Sequence, residues 1–205
     1  MPLKEKLPNQ IMYLAFMSSE YVMGVNGLNA ILNYVKLQKF IGNYPPNNLE
    51  LEQSSEDFTC FISGLIKVLG ERGSKTVTYQ IGKMSFDIIR EQFPSLLNIN
   101  GVEPQEMNPD KLFGEFVRIQ GIMFEAAKAI FGDIYNYYED EKGFVVEQSP
   151  CYWCKGLQTK EPICNAGTGF AAAIAKWIIG QDVKVEETHC IATGDEKCVF
   201  VIYRP

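Results

Sequence analysis

The sequence predicts an α+β fold in which helices pack on an antiparallel sheet, preceded by a helical amino-terminal extension. Before Gly132, apolar residues recur at spacings of three and four, as in an amphipathic helix. After Gly132, most of the apolar residues fall in short strand-like runs that are separated by turn residues. The 205 residues are enough for one domain, in which residues 1–70 form the helical part and residues 71–205 the core.

The first predicted helix follows a flexible start over Met1–Asn9, where two prolines disfavour helix. Ser18 or Ser19 is a suitable cap, and the helix is predicted to continue to about Phe40. Its apolar residues at helical spacing form the predicted core face: Val25, Leu28, Ile31, Leu32 and Val35. Gly24 and Gly27 lie in the same stretch, which weakens the helix or permits close approach of a second one.

Two further helices are predicted before the middle of the chain. A polar loop over residues 42–54 leads to a helix over residues 56–70, which Gly73–Ser74 should separate from a third helix over residues 76–93. Pro94 ends the third helix, and residues 95–108 are predicted to form a linker.

The best-defined helix runs from Pro109 to Phe131, with Asn108 as its N-cap and Gly132 as its stop. Strands are predicted at its carboxyl side over 134–139 and 144–148, joined by a turn. A loop, a small-residue helix over 165–179 and two strands, over 182–190 and 197–203, complete the predicted order.

Composition excludes several classes of function. The net charge is −6 and no run of Lys and Arg occurs, so binding of nucleic acid through its phosphates is not expected. Polar residues interrupt the most apolar region, residues 11–37, so we expect a protein that is not integral to a membrane. We predict a cytoplasmic protein, because the first residues lack a signal-peptide pattern. There, six cysteines are expected to be free thiols or metal ligands, although three disulfides are an alternative.

The clearest motif is formed by Cys164, Glu187, Cys190 and Cys198. Three thiolates and one carboxylate are a suitable tetrahedral ligand set for a structural zinc ion. Strand alternation places Glu187 on the same inward face as two valines, where a carboxylate without a partner would be destabilising. Cys190 comes three residues later, on the opposite face of a straight strand. A shared metal therefore requires a bend or bulge near Thr188–His189.

Other interpretations of these residues remain open. Each cysteine could be a small buried hydrophobe, as we expect for Cys60, and His189 could replace Glu187 as a ligand. The pair Cys151 and Cys154 competes for metal and could form a redox pair. We favour a loop or lid in which Tyr152 and Trp153 pack over an apolar pocket.

The pattern Val185-x-Glu187-x-x-Cys190 followed by Gly194-Asp195-x-x-Cys198-x-Phe200 resembles the 4-vinyl reductase domain. The resemblance covers about the last forty residues and extends loosely to residue 70. It implies a fold like that of small subunits of the TRAPP trafficking complex, zinc held by the residues above, and a homodimer. Relatives in phototrophs suggest roles in tetrapyrrole or photosystem biogenesis.

The resemblance also implies binding of a small hydrophobic molecule, such as a tetrapyrrole or a precursor. The histidine and upstream tryptophan expected of a phenol sensor are missing, so we predict an apolar aromatic pocket, although each residue could be ordinary core: Phe113, Phe116, Phe124, Tyr135, Tyr137, Phe144 and Trp177. One alternative is a scaffolding protein that acts through a helical dimer surface without a ligand. A tetrapyrrole vinyl reductase ranks last, because the sequence has no dinucleotide-binding motif and no evident catalytic residues.

Overall fold

A computed structural model describes residues 5–92 and 108–205 of the chain. It confirms an α+β fold with a helical amino-terminal region and an antiparallel sheet. Within the described residues, no helix combines the length and the apolar character needed to cross a membrane. The predicted linker over 95–108 and the stop at Pro94 lie almost wholly outside the described residues.

Four helices and six strands make up the fold. The helices are α1 (Asn9–Tyr34), α2 (Ser55–Gln92), α3 (Pro109–Phe131) and α4 (Asn165–Ile179). The strands are β1 (Lys6–Pro8), β2 (Leu51–Ser54), β3 (Tyr135–Glu139), β4 (Gly143–Gln148), β5 (Val185–His189) and β6 (Cys198–Tyr203).

The main sheet has the order β3-β4-β6-β5, and all of its neighbouring strands are antiparallel. Alternation along β4 and β6 sends Phe144, Val146, Phe200 and Ile202 into the main core, which also contains residues of α3 and α4. The remaining strands, β1 and β2, form a separate two-stranded antiparallel sheet beside α1.

The start of the first helix was predicted wrongly. Helix α1 begins at Asn9, directly after Pro8 and the short strand β1, and ends at Tyr34. Neither predicted cap works as one, because the Ser19 hydroxyl donates to the Ala15 carbonyl one turn earlier, 2.6 Å away. Serine in the middle of a helix often satisfies itself this way.

Two other details of this helical region also differ from prediction. The second and third predicted helices are one element, α2, which kinks at Gly70 rather than at Gly73–Ser74. Gly70 has φ +72°, a conformation that side chains rarely adopt, whereas the Ser74 hydroxyl bonds to the Glu71 carbonyl within the helix. Val25, expected in the core, is 51% exposed.

The predicted ends of α3 are confirmed. The Asn108 side chain accepts a hydrogen bond from the Lys111 amide at 2.9 Å, and Pro109 occupies the first turn. Gly132 closes the helix with φ +86°. The predicted end of α4 is also confirmed, since Gly180 adopts the left-handed conformation there.

Helices α2 and α4 cross with their backbones in contact. A Cβ atom added to Gly82 would lie 2.0 Å from the Ala166 carbonyl oxygen, and one added to Gly169 would lie 2.0 Å from the Tyr79 carbonyl oxygen. Each helix thus supplies one glycine to the crossing, and neither backbone can move away without displacing its helix. This contact fixes the amino-terminal end of α4, where the candidate site lies.

We expect Gly169→Ala to lower the thermal unfolding midpoint strongly, since the added methyl overlaps backbone atoms. The matched control is Gly114→Ala in α3, where an added Cβ has no atom within 4 Å. That change should raise stability by up to about 1 kcal/mol, because alanine is the better helix former. Equal effects of the two changes on the midpoint would contradict the crossing.

Candidate functional site

Five thiols and one carboxyl group meet at the end of α4 nearest the sheet. We call this group the thiol cluster; it contains Cys151, Cys154, Cys164, Cys190, Cys198 and Glu187. Each of the five cysteines is at most 1% exposed, and all are free. The disulfide alternative therefore does not apply to them in this structure. The remaining cysteine, Cys60, is exposed on α2, contrary to the expectation that it lies in the core.

The helix end and strand β5 bring Cys164 and Glu187 together. Cys164 is the residue that precedes α4, and its backbone N–H donates to Glu187 Oε2 at 2.8 Å. The pairing of β5 with β6 shifts register between Glu187 and His189, so that Thr188 is an extra residue. The bulge that a shared metal requires is thus present at the predicted place, and it brings Cys190 to the same side as Glu187.

The turn that follows β5 is held by Asp195. Its Oδ2 atom accepts from the Cys190 amide at 2.8 Å and from the Thr193 hydroxyl at 2.9 Å. The Ile191 amide in turn points to Cys198 Sγ at 3.4 Å. An amide hydrogen directed at sulfur favours the thiolate, and hydrogen bonds of this kind commonly orient the ligands of a metal ion.

The sulfur separations suit a tetrahedral metal ion. Cys164 Sγ lies 3.9 Å from Cys190 Sγ and 3.8 Å from Cys198 Sγ. A zinc–sulfur bond of about 2.3 Å implies a tetrahedral edge of about 3.8 Å. The ligand atoms of Cys164, Glu187, Cys190 and Cys198 all lie within 4.8 Å of one another, as do those of a second set in which Cys151 and Cys154 replace Glu187 and Cys190.

Electrostatics also favour a cation here. Burial raises the pKa of Glu187 to about 9, and its Oε1 atom is buried without a hydrogen-bond partner among the described residues. Hydrogen bonds from neighbouring thiols, that of Cys154 foremost, lower the pKa of Cys190 to about 6. Those to Cys198, with Cys151 as the largest contributor, lower its pKa to about 5. Anionic sulfur beside a carboxyl oxygen without a partner fits a metal of the zinc type.

His189, the alternative ligand, is exposed. Its Nδ1 atom contacts the neighbouring Thr188 hydroxyl at 3.1 Å, and neither group of candidate metal ligands includes it. Thiols and a carboxylate, rather than an imidazole, are therefore the candidate ligands.

The loop from Cys151 to Cys154 has two sides. Its two thiols point into the thiol cluster, where Cys154 Sγ lies 3.5 Å from Cys198 Sγ. The two aromatic residues between them face a cavity. Trp153 packs edge-on against Phe58 with ring centroids 5.1 Å apart, and Tyr152 contacts the ring of Phe131.

The cavity has a volume of about 330 Å³, within the range typical of small-molecule sites. Among the described residues, no charged side chain lines it. Its wall comes from all four helices, the main sheet and the loop that carries Trp153. Representative lining residues are Ile11, Phe58, Ile89, Met123, Phe124, Tyr135, Phe170 and Phe200.

A few polar groups interrupt the apolar wall. Gln148 Nε2 donates to the Tyr135 hydroxyl at 3.4 Å, and the Ser85 hydroxyl bonds to the Ile81 carbonyl. Burial raises the pKa of Tyr135, so its phenol stays neutral. Gln120 lines the cavity and is 6% exposed, and its Nε2 atom is buried without a partner among the described residues.

The predicted pocket residues fall into two groups. Phe124 and Tyr135 line the cavity, whereas the other five pack in or against the main core: Phe113, Phe116, Tyr137, Phe144 and Trp177. The α1 and α2 part of the wall was missed, because the motifs of the sequence lie in its last third. The alternating apolar residues of those helices gave no signal that distinguishes cavity wall from core.

We expect Glu187→Gln to change stability in opposite directions with and without metal. In metal-free protein, the raised pKa means that Glu187 must take up a proton on folding, a cost that grows from about pH 4.5 to about pH 9. The glutamine variant avoids this cost, so at pH 8 its metal-free form should unfold at a higher temperature than the wild type. With zinc bound the order should reverse, because an anionic ligand is lost.

The matched control is Glu186→Gln, whose exposed side chain points to the other face of β5. It should leave both midpoints within about 0.5 kcal/mol of the wild type. Unfolding monitored by circular dichroism, in excess zinc and in excess chelator, measures all four values. A glutamine variant less stable than the wild type in both conditions would contradict a metal at Glu187.

Comparisons with known proteins identify the carboxy-terminal region and the fold. The family model of the 4-vinyl reductase domain matches residues 144–204. The uncharacterized protein MJ0745 of Methanocaldococcus jannaschii is 33% identical over 64 residues, which cover 31% of this chain and 35% of that protein. The chain therefore matches only about a third of that relative's length.

Solved structures of H-NOX domains share the fold over nearly the whole chain. A Cs H-NOX variant superposes with a TM-score of 0.62 at 12% identity, covering 96% of both chains. An H-NOX protein from S. oneidensis in the Fe(II)NO state gives 0.57 at 12% identity, covering 94% of this chain and 98% of that one. The motif of Glu187, Cys190 and Cys198 lies inside the matched region, which confirms the predicted resemblance: residues 144–204 of this chain are a 4-vinyl reductase domain.

Proposed function

We propose that this protein binds a small hydrophobic molecule in the cavity between its helices and sheet, as a carrier, sensor or accessory factor. The cavity itself carries the proposal, since about 330 Å³ of apolar space without a charged lining residue suits a neutral organic ligand. The H-NOX structures that share the fold include an oxygen-binding domain and a nitric-oxide complex, which supports small-molecule binding.

The ligand that fits best is apolar with one neutral hydrogen-bonding group. An ionised group would lose its hydration without gaining a counter-charge from the wall. The Gln120 amide is buried with Nε2 unpartnered, and such a group costs about 1–3 kcal/mol. A ligand carbonyl or hydroxyl would remove that cost, since rotation of the amide presents either its donor or its acceptor.

A tetrapyrrole or a precursor, with a role in pigment or photosystem biogenesis, is the finer form of the proposal. Coordination of a haem iron by histidine is not part of it, because His189 is the only histidine of the chain and does not line the cavity. A tetrapyrrole would have to be held by apolar contact, with its carboxylates outside the uncharged wall.

The metal in this proposal is a structural zinc ion at Cys164, Glu187, Cys190 and Cys198. Four protein ligands leave no open position for water, so the ion would stabilise the fold rather than catalyse a reaction. It would tie the start of α4 to β5 and β6; residues of α4 and β6 also line the cavity. Both parts of the chain, residues 1–70 and 71–205, contribute to that wall, which supports a single cytoplasmic domain.

The scaffolding alternative predicted an exposed apolar patch on the first helix without an internal cavity. Tyr21, Val25 and Tyr34 are indeed exposed on α1, at 76%, 51% and 58%. The cavity favours ligand binding, but these side chains support a homodimer through α1 as a further part of the proposal. The vinyl reductase alternative gains no support, since the described cavity wall contains no charged acid–base pair.

We expect the wild-type protein to bind diphenylmethane and benzophenone, and the ketone more tightly because it can bond to Gln120. The change Ala127→Phe places a ring in the cavity and should weaken binding of both by at least about tenfold. The rise in unfolding temperature with ligand concentration measures each affinity.

Ala126→Phe is the control, because Ala126 is exposed on the same helix and does not line the cavity. It should bind both compounds as the wild type does. Failure of the wild type to bind either compound would contradict the proposed site. Equal affinity for the two would contradict only the role of Gln120. A parallel titration with protoporphyrin, followed by its absorption band, tests the tetrapyrrole form.

A further inference from the structure

The thiol cluster contains more ligand atoms than one tetrahedral ion can use. Four donors complete a structural zinc site, whereas the cluster offers five thiols and one carboxyl group. If an ion takes Cys164, Glu187, Cys190 and Cys198, two buried thiols remain at Cys151 and Cys154. If it takes the other set, Glu187 stays buried with Oε1 unpartnered.

The two possible ligand sets share two residues, Cys164 and Cys198. Their sulfurs lie 3.8 Å apart, between the donors that are unique to each set. Cys151 Sγ lies 3.6 Å from Cys164 Sγ on one side, and Cys190 Sγ lies 3.9 Å from it on the other. A thiolate keeps lone pairs after it binds one metal ion, so a sulfur in this position can bridge two.

We propose that the cluster binds two divalent metal ions of the zinc type, bridged by the thiolates of Cys164 and Cys198. Cys151 and Cys154 complete the first ion with an all-sulfur set. Glu187 and Cys190 complete the second with three sulfurs and one oxygen. The second ion is the one in the proposed function, on which this inference therefore rests in part; the first ion is additional.

Charge balance supports two ions. Five thiolates and one carboxylate carry six negative charges. One divalent ion would leave four of these charges uncompensated in a buried volume, unless the remaining thiols kept their protons. Two ions leave two negative charges, the same as one zinc ion with four anionic ligands. Each thiol would release its proton to solvent as the metal binds.

The additional ion also gives the loop between β4 and α4 an anchor. Residues 149–164 contain no strand or helix of the main fold. The Thr159 amide donates to the Ala192 carbonyl at 2.9 Å, which ties this loop to the turn after β5. Metal bonds from Cys151 and Cys154 would hold the loop, and with it Tyr152 and Trp153, against the cavity.

Native mass spectrometry of the full chain, refolded with zinc, tests the proposal. The wild type should carry two ions per chain, and the double change Cys151→Ala with Cys154→Ala should carry one. Cys60→Ala is the control and should keep two, because this exposed thiol lies outside the cluster. Cadmium-113 spectra of the wild type should show two resonances that couple to each other through the shared sulfurs.

One ion in both the wild type and the double variant would overturn the second ion and leave the proposed zinc site standing. No ion in the wild type would contradict both. Two cadmium resonances without mutual coupling would exclude the bridge. If the double variant fails to fold, the stoichiometry and cadmium spectrum of the wild type still decide the question.

Discussion

The structure depends on one constraint: a group of buried, negatively ionisable ligands that requires a positive charge among them. Four separate parts of the chain supply these ligands, namely the loop after β4, the start of α4, the end of β5 with its turn, and β6. Each local feature serves this convergence. The bulge at Thr188 turns Cys190 towards Glu187, Asp195 closes the turn that follows, and α4 begins at Cys164. A metal would convert a costly buried set into a cross-link.

The metal ligands and the cavity share their supporting elements. Between the thiols of Cys151 and Cys154, which face the cluster, lie Tyr152 and Trp153, which face the cavity. Helix α4 likewise begins at a candidate ligand and lines the cavity with its first two turns. Because Gly82 and Gly169 hold α4 against α2 with backbone contact, α4 has little freedom to adjust. Loss of metal would therefore disturb the cavity wall, although no ligand atom of the cluster lines the cavity.

Strong local rules made part of this structure predictable. Alternation along one strand singled out Glu187, and the face of Cys190 required a bulge that β5 contains. The caps of α3 follow from Asn108 and Gly132. The start of α1 did not follow, because Ser19 bonds within the helix instead of capping it. The cavity could not be predicted, since its wall joins segments that are far apart in sequence, and a lining residue such as Phe58 shows the same helical spacing as any core residue.

The central claim, that metal in the thiol cluster holds the loop and the cavity wall together, is tested most directly by hydrogen exchange of the full chain with bound zinc and after chelation. The account predicts that chelation removes protection from residues 151–164 and 187–198, while the interior of α2 keeps its protection. Identical exchange in both forms, or no zinc to remove, would contradict it.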